Sequence, residues 1–175
     1  QVVYSEDDNW LPENGYENYP IVEVSWFGAN AYCESIGARL PTESEWEKAA
    51  RGGLAGQMYP WGAEEPVCTP GAENGARFSE CGTGPINVKS FSANNFGLYD
   101  LSGNVWEWVS DWYGISFYVN SPNENPEEIT VGAYRSLRGG GWGNSISSLR
   151  TADRGRIRPE NANNLSGFRC ARDVE

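Results

Sequence analysis

The stretch "YDLSGNVWEW" contains four residues whose types and spacing suit a hard cation. Asp100 and Glu107 could offer carboxylates, and Gly103 and Val105 could offer main-chain carbonyls, all within eight residues. Oxygen donors of this kind are the ligands that Ca²⁺ takes in proteins. The alternative is a tryptophan-rich turn whose carboxylates cap backbone N–H groups. Spacing alone leaves both the calcium site and the structural turn open.

A second distinctive segment, "RGGGWGNSISSLRTADRGR", runs from Arg138 to Arg156. Its arginines lie among glycines and small polar residues, and it lacks the Lys-Ser/Thr of a phosphate-binding loop. Residues 1–134 hold 20 acidic and 5 basic side chains, whereas residues 135–175 hold 4 acidic and 8 basic ones, all arginine. The segment is therefore predicted to be a cationic surface on an acidic body.

The composition excludes several classes of catalytic site. The chain has no histidine, so a Ser-His-Asp triad, a cysteine–histidine pair and a two-histidine iron site are all ruled out. On a helix Glu43 and Glu47 are neighbours while Glu45 points elsewhere, so no paired acid–base geometry follows. We interpret these three carboxylates as charges at the start of a helix.

Length and composition indicate one loop-rich domain. The 175 residues include eight Trp and nine Tyr but one Met, which is typical of a fold held by large aromatic side chains. A net charge of −11 argues against nucleic acid or an anionic membrane as the main partner. No apolar run is long enough to span a bilayer, and no signal peptide is evident. Because the chain begins with Gln1, we expect a processed or trimmed piece.

Four cysteines permit three disulfide pairings in an oxidising compartment. None lies in a CxxC motif, and a zinc site would need cysteines and carboxylates alone at spacings that fit no common pattern. We therefore expect two disulfides and an extracytoplasmic location, with reduced structural thiols as the alternative.

Two short helices precede these segments and must help to position them. Ser25 is the predicted N-cap of the first helix, which ends at Gly37. Helical spacing places four residues on its buried stripe: Trp26, Ala29, Cys33 and Ile36. In the second helix, Thr42 and Glu45 form a capping box, and Gly52 with Gly53 ends it. Its predicted inward residues are Trp46 and Ala49.

After the second helix the helical signal ends. Alternating apolar residues predict a strand in "INVKSF" at residues 86–91. Further strands are predicted in "YRSLRGGGW" and "SGFRCARD", on either side of the cationic segment. Residues 114–134 are interpreted as an acidic loop.

Five motifs follow one another in the chain between about residues 20 and 173. They are "VSWFGANAYCESIGARLPTESEWEKAARGG", "YPWG", "NNFGLYDLSGNVWEWVSDWYG", "LRGGGW" and "GFRCARD". Together they closely resemble the formylglycine-generating enzyme family, also called the sulfatase-modifying factor family. The number and order of the motifs make this resemblance specific.

The resemblance implies an α+β fold of the C-type-lectin-like kind, loop-rich, with two short helices and small antiparallel sheets. The family domain would occupy residues 25–175, after an irregular, acidic N-terminal arm at residues 1–24. It also implies that the N-terminal part of a complete family domain is missing. Another segment or chain would then supply the missing sheet edge.

The same resemblance implies roles for individual residues. The family's calcium-binding stretch matches Asp100, Gly103, Val105 and Glu107, which favours the calcium interpretation. Asp100 stands where the vertebrate enzyme has Asn, and a carboxylate should bind Ca²⁺ at least as well. The family disulfide and a bridge of some bacterial members imply two cysteine pairs. These are Cys33 with Cys170 and Cys68 with Cys81.

Two departures from the family pattern bear on catalysis. The catalytic members oxidise a sulfatase cysteine with copper held by two cysteines, near the positions of Asn144 and Leu149 here. Neither residue offers the thiolate that a Cu(I) site needs. The ergothioneine-type relatives hold iron with histidines, which this chain lacks. We therefore expect neither copper nor iron, and no catalytic residue is assigned.

The leading hypothesis is a non-catalytic, extracytoplasmic binding or structural module. Its partner would be an acidic protein or glycan, or other subunits of a larger assembly, bound on the cationic segment. The predicted ligand-binding residues are Asn144, Ser145, Ser148, Arg150, Asp153, Arg156 and Arg158. Arg138 and Arg169 are predicted to be structural ion-pair members instead.

Two alternatives remain. One is a hypervariable ligand-binding protein of a diversity-generating retroelement, since some of these have this fold and end in a similar "GFR". Positions that are often Asn in their variable segments correspond to Gly143, Asn144, Ser145, Ser148, Asp153, Gly155, Ile157 and Arg158. The other is a metal-free enzyme similar to the periplasmic siderophore-maturation relatives, using carboxylates and arginines in the same cleft.

Overall fold

The computed structural model describes residues 2–4 and 10–173. Two α-helices and six β-strands are joined by long loops. The helices are α1 (Trp26–Ser35) and α2 (Glu43–Arg51), and the strands are β1 (Val2–Tyr4), β2 (Trp10–Pro12), β3 (Trp106–Trp112), β4 (Arg135–Arg138), β5 (Gly155–Ile157) and β6 (Ser166–Phe168). Short 3-10 turns occur at Ser79–Cys81, Phe117–Val119 and Ile146–Leu149.

Both helices begin at the residues that the sequence predicts. The Ser25 hydroxyl accepts a hydrogen bond from the Gly28 N–H. Thr42 and Glu45 form the predicted capping box, and Gly52 ends α2 in the left-handed conformation with a φ of 54°. These caps satisfy backbone groups that a helix end leaves without partners.

The inward faces of the helices differ from the prediction at two places. Ile36 follows the last residue of α1 and is exposed, because the chain has left helical geometry there. In α2 the fully buried alanine is Ala50 rather than Ala49. Ala50 is four residues after Trp46, so the two side chains share one face of the helix.

A four-stranded sheet forms the centre of the domain in the order β5-β4-β3-β6. Strands β3, β4 and β5 are antiparallel, whereas β6 runs parallel to β3. The fold class is therefore α+β and loop-rich as predicted, but the central sheet is mixed, not antiparallel.

Two further expectations about strands are wrong. Residues 86–91 form no strand, because Lys89 is left-handed with a φ of 62° and the segment's N–H groups bond to loops. The Ile86 N–H, for example, donates to the Asn104 side chain over 3.0 Å. Residues 1–24 are not wholly irregular, since β1 and β2 form an antiparallel pair within them.

The sheet is packed on both faces. Trp108 and Val109 are adjacent in β3, so their side chains point to opposite faces. Trp108 packs with Leu137 and with Ala29 of α1, while Val109 packs with Trp46 of α2. Burial of these large apolar side chains on both faces holds the two helices to the sheet.

Two disulfides complete the framework. Cys33 of α1 joins Cys170, just after β6, with a Cα–Cα distance of 5.5 Å. Cys68 joins Cys81 across a loop of the long connection between α2 and β3. The pairing is the one that the family resemblance implied. Among the described residues, no helix has the length and apolar character needed to cross a membrane.

Candidate ligand-binding surface

A buried ion network fixes the start of the cationic segment. Arg138 is fully buried and donates to the carboxylates of Glu43, at 3.4 Å, and Glu47, at 2.5 Å. It also donates to the main-chain carbonyls of Thr151 and Asp153, both over 2.8 Å. Arg138 is therefore structural, as predicted, and it holds the turn before β5 against α2.

Arg154 continues this network toward the surface. Its guanidinium pairs with both carboxylate oxygens of Glu43, at 2.5 and 2.7 Å. It also lies over the rings of Tyr113 and Tyr118, at 4.6 and 4.9 Å from their centroids. Because Glu43 is fully buried, it depends on Arg138 and Arg154 for compensation of its charge.

Arg156 and Arg158 extend the same row along the edge of the sheet. Arg154, Arg156 and Arg158 alternate along the chain, so their side chains point to one face of β5. Arg156 lies over Tyr113 and Tyr134, at 4.8 and 5.5 Å, and Arg158 lies 5.6 Å from the Tyr134 centroid. We call these three arginines, with Tyr113, Tyr118 and Tyr134, the arginine–tyrosine row.

The outer part of this row carries charge without a matching carboxylate. Arg156 and Arg158 are exposed, and within the described ranges neither lies within 4.0 Å of an acidic side chain. Stacking on tyrosine leaves the edge of each guanidinium free to donate hydrogen bonds. The geometry therefore suits the binding of carboxylates or other anions.

The remaining predicted ligand-binding residues form a second group around the turn at Ile146–Leu149. The Asn144 side chain accepts a hydrogen bond from the Trp106 indole over 2.8 Å, which fixes it against the sheet. Arg150 is exposed but pairs with Asp153 at 3.2 Å. Ser145 is exposed and Ser148 is half-buried. The members of this group are exposed or half-buried polar residues, and they precede Arg156 and Arg158 in the chain.

The tyrosine half of the row was not predicted from the sequence. Tyr113, Tyr118 and Tyr134 lie in or beside the acidic loop, far in sequence from the arginines that they contact. The alternation in "RGRIR" was a usable signal, because arginine at every second position is typical of one face of a strand. Nothing local in the sequence indicates which aromatic rings lie beneath those arginines.

A second buried cluster lies where β3 meets the loop at residues 114–134. The Asp111 carboxylate accepts hydrogen bonds from the N–H groups of Glu43, over 2.6 Å, and Glu128, over 2.9 Å. Burial raises the pKa of Asp111 to about 6. Nearby, Arg135 is held between the indoles of Trp26 and Trp112, at 3.7 and 3.8 Å, and burial lowers its pKa to about 10.

Comparison with known proteins identifies the family. The sulfatase-modifying factor enzyme 1-like domain matches residues 3–174. The chain belongs to this family. Among relatives, it is 42% identical over 177 residues to the formylglycine-generating enzyme of Streptomyces coelicolor, covering 92% of this chain and 55% of that protein. It is also 39% identical over 169 residues to the inactive Cα-formylglycine-generating enzyme 2 of Bos taurus, covering 87% and 50%.

In other relatives the matching region is a small part of a longer protein. The serine/threonine-protein kinase pkn1 of Chlamydia pneumoniae is 45% identical over 164 residues, which are 93% of this chain but 25% of that protein. Among solved structures, Treponema denticola variable protein 1 has a TM-score of 0.79 at 25% identity, covering 90% of this chain and 73% of that one. PvdO from Pseudomonas aeruginosa has a TM-score of 0.78 at 26% identity, covering 90% and 63%.

The residues near the positions where the family resemblance implies copper-binding cysteines do not suit copper in this chain. Asn144 is hydrogen-bonded to Trp106, and Leu149 is fully buried against Tyr59 and Phe78. All four cysteines are in disulfides. Because Cu(I) is held by soft thiolate or thioether ligands, the residues present do not fit this metal.

The calcium-binding stretch that the family resemblance implies fits better, but its carboxylates already have partners. The Trp46 indole donates to Glu107 Oε2 over 2.6 Å, and the Lys89 N–H donates to Asp100 over 2.7 Å. Asp100, Val105 and Glu107 line one cavity of about 390 Å³. Arg169 also lines it and donates to both Glu107 oxygens, at 2.5 and 2.6 Å, as a structural ion pair of the kind predicted. The described residues contain no group of three or more acidic or cysteine side chains placed to hold one metal ion. A cation in this cavity would need main-chain carbonyls, such as that of Val105, and one oxygen of the Glu107 carboxylate; Gly103, also predicted as a ligand, does not line the cavity.

Proposed function

We propose that this domain is a non-catalytic binding module whose partner is held by the outer arginines of the arginine–tyrosine row. One observation carries the binding proposal. Arg156 and Arg158 are exposed on one face of β5 and lack a carboxylate partner within the described residues, although the chain carries a net charge of −11. The substitution of both copper-binding cysteines supports the non-catalytic part.

The chemistry of the row defines the class of partner. Arginine's planar fork pairs with carboxylates through two parallel hydrogen bonds, and it stacks on aromatic rings. The partner is therefore an acidic protein or glycan, or another acidic chain of an assembly. Two disulfides support an extracytoplasmic location, where such bonds persist.

Calcium is part of the proposal as a structural ion. Asp100 and Glu107 would supply carboxylate oxygens, and Gly103 and Val105 would supply carbonyls. The shared cavity beside Asp100, Val105 and Glu107 supports this assignment. By binding oxygens from both, calcium would link the loop before β3 to the sheet. It would take no part in binding the partner.

A second candidate function is hypervariable ligand recognition. None of the eight positions that correspond to variable Asn sites is buried, whereas the intervening Leu149 and Thr151 are. Substitutions at most of these positions would therefore change the surface, whereas Ile157 packs against the core and a side chain at Gly155 would meet Trp106 and Leu137. Similarity to Treponema denticola variable protein 1 supports this candidate. Sister copies of the gene that differ mainly at these positions would establish it, and copies that differ evenly along the chain would reject it.

Charge reversal tests the binding proposal. Poly-L-glutamate serves as a carboxylate probe, titrated against the wild-type domain and an Arg156→Glu/Arg158→Glu double variant. We expect the double variant to bind at least about tenfold more weakly, because each charged hydrogen bond contributes about 1.5–3 kcal/mol. Lys89→Glu/Arg172→Glu is the control, since it reverses two exposed cations outside the arginine–tyrosine row and changes the net charge equally. Equal losses in the double variant and the control, or no binding by the wild type, would contradict the proposal.

A further inference from the structure

The loop between β3 and β4 exposes more aliphatic surface than any other part of the described chain. Four of its side chains are about three-quarters exposed: Ile115 (79%), Val119 (79%), Ile129 (76%) and Val131 (79%). Elsewhere in residues 11–173, no large apolar side chain is more than 56% exposed. Single exposed apolar residues are ordinary, but a group of them on one segment marks an interaction surface.

This loop, residues 113–134, is held in place at several points. Its two ends are joined by the Tyr113 N–H donating to the Tyr134 carbonyl over 2.8 Å. The Asp111 carboxylate accepts from the Glu128 N–H over 2.9 Å, and Arg154 donates to the Gly114 carbonyl over 2.9 Å. The backbone bonds fix the path of the loop, so its aliphatic side chains are presented from an ordered scaffold.

The aliphatic residues adjoin the cationic surface. Tyr113, Tyr118 and Tyr134 belong to this loop, and they are the rings beneath the three arginines. Ile115 and Val119 lie within three residues of Tyr118 in sequence. The same loop therefore carries both the exposed aliphatic side chains and the tyrosines that lie beneath the guanidinium groups of Arg156 and Arg158.

We propose that the 113–134 loop and the arginine–tyrosine row form a single docking surface for a protein segment that carries both apolar and carboxylate side chains. This inference rests on the proposed function and narrows its partner from an anion to a polypeptide. Carboxylates of the partner complement Arg156 and Arg158. The loop itself carries Glu124, Glu127 and Glu128, so apolar side chains, not further carboxylates, complement its four aliphatic residues. A sulfated or uronic-acid glycan would supply anions but little surface to cover the aliphatic residues.

Three polymers separate these possibilities: poly-L-glutamate, a random copolymer of glutamate and tyrosine of equal length, and heparin. For the wild-type domain we expect the copolymer to bind at least about tenfold more tightly than poly-L-glutamate, and more tightly than heparin. A loop variant with Ile115→Ser, Val119→Ser, Ile129→Ser and Val131→Ser should lose this preference while it still binds poly-L-glutamate. An Ile36→Ser/Met58→Ser control removes exposed apolar side chains elsewhere and should keep the preference.

The outcomes distinguish the two proposals. If Arg156→Glu/Arg158→Glu weakens both polypeptides but the loop variant keeps the copolymer preference, the docking surface is wrong and the anion site stands. If the arginine reversal weakens neither, the proposed function fails. Tighter binding of heparin than of the copolymer, or self-association of the domain at the loop, would also overturn the polypeptide assignment.

A second measurement keeps the inference testable if the loop variant fails to fold. Amide hydrogen exchange of the wild-type domain, with and without saturating copolymer, reports on residues 115–131 directly. We expect slower exchange there and along β5 when the copolymer is bound. Protection of β5 alone, with unchanged exchange in residues 115–131, would overturn the inference.

Discussion

Replacing Asp111 by Asn should remove a specific pH dependence of stability. Asp111 is fully buried at the end of β3, where its carboxylate accepts N–H groups from α2 and from the 113–134 loop. Burial raises its pKa from the ordinary 3.8 to about 6. The native state therefore holds a proton more tightly than the unfolded state does. Its stabilising contribution is complete below the unfolded pKa and is lost as pH rises through about 6.

The magnitude follows from the two pKa values. A difference of about two pH units between the states corresponds to about 3 kcal/mol in total. About 1.3 kcal/mol of this should be gained when the pH falls from 7 to 5. Asn is neutral in both states, so Asp111→Asn removes this dependence. The Asn amide oxygen can accept a hydrogen bond from one of the two N–H groups. Loss of the other hydrogen bond lowers the free energy of unfolding by an amount that does not vary with pH.

Urea denaturation of the two proteins at several pH values between 5 and 7, at constant ionic strength, measures the effect. The free energy of unfolding of wild type minus that of Asp111→Asn should rise by about 1.3 kcal/mol toward pH 5. Carboxylates that do not interact with Asp111, such as Glu45 with its lowered pKa, titrate alike in both proteins and cancel in the difference. A difference that stays flat, or falls toward pH 5, would refute the assignment of a raised pKa to Asp111.

Three further predictions concern the framework. Thiol titration under denaturing, non-reducing conditions should find no free cysteine, and a titratable thiol would contradict the pairing. Replacing Cys33 and Cys170 by Ala should lower the free energy of unfolding by about 4–5 kcal/mol in the chain-entropy model. Glu43→Gln should destabilise by about 3–5 kcal/mol in chemical denaturation, because it leaves the buried Arg138 undercompensated, and a loss below 1 kcal/mol would contradict a central role for the network. A calcium chelator should lower the melting temperature of the wild type but not that of Glu107→Gln, because an ion that binds only the native state stabilises that state. Equal responses of the two proteins would argue against calcium at this site.

The elements that could be predicted from sequence are those with local causes. Ser25 and Thr42 begin helices because their side chains bond N–H groups three residues away, and such contacts depend only on neighbouring residues. Gly52 ends α2 because glycine adopts the left-handed conformation at little cost. The disulfide pairs were not deducible in this way and came from the family resemblance.

The features that could not be predicted depend on distant parts of the chain. Residues 86–91 have the alternation of a strand, but within residues 2–4 and 10–173 no strand pairs with them, and their N–H groups bond to loops instead. The parallel pairing of β6 with β3 joins segments about 60 residues apart. The tyrosines under Arg156 and Arg158 became part of the candidate site only because the sheet places β5 beside the ends of the 113–134 loop.

The central claim is that this domain binds without performing its family's chemistry. The most direct test incubates the pure domain, supplied with Cu(I) and oxygen, with a sulfatase-derived cysteine peptide and follows the peptide by mass spectrometry. The formylglycine-generating enzyme of Streptomyces coelicolor serves as the positive control. We predict that the control converts the peptide cysteine while this domain leaves the peptide mass unchanged. Aldehyde formation that increases in proportion to the concentration of this domain would contradict the account.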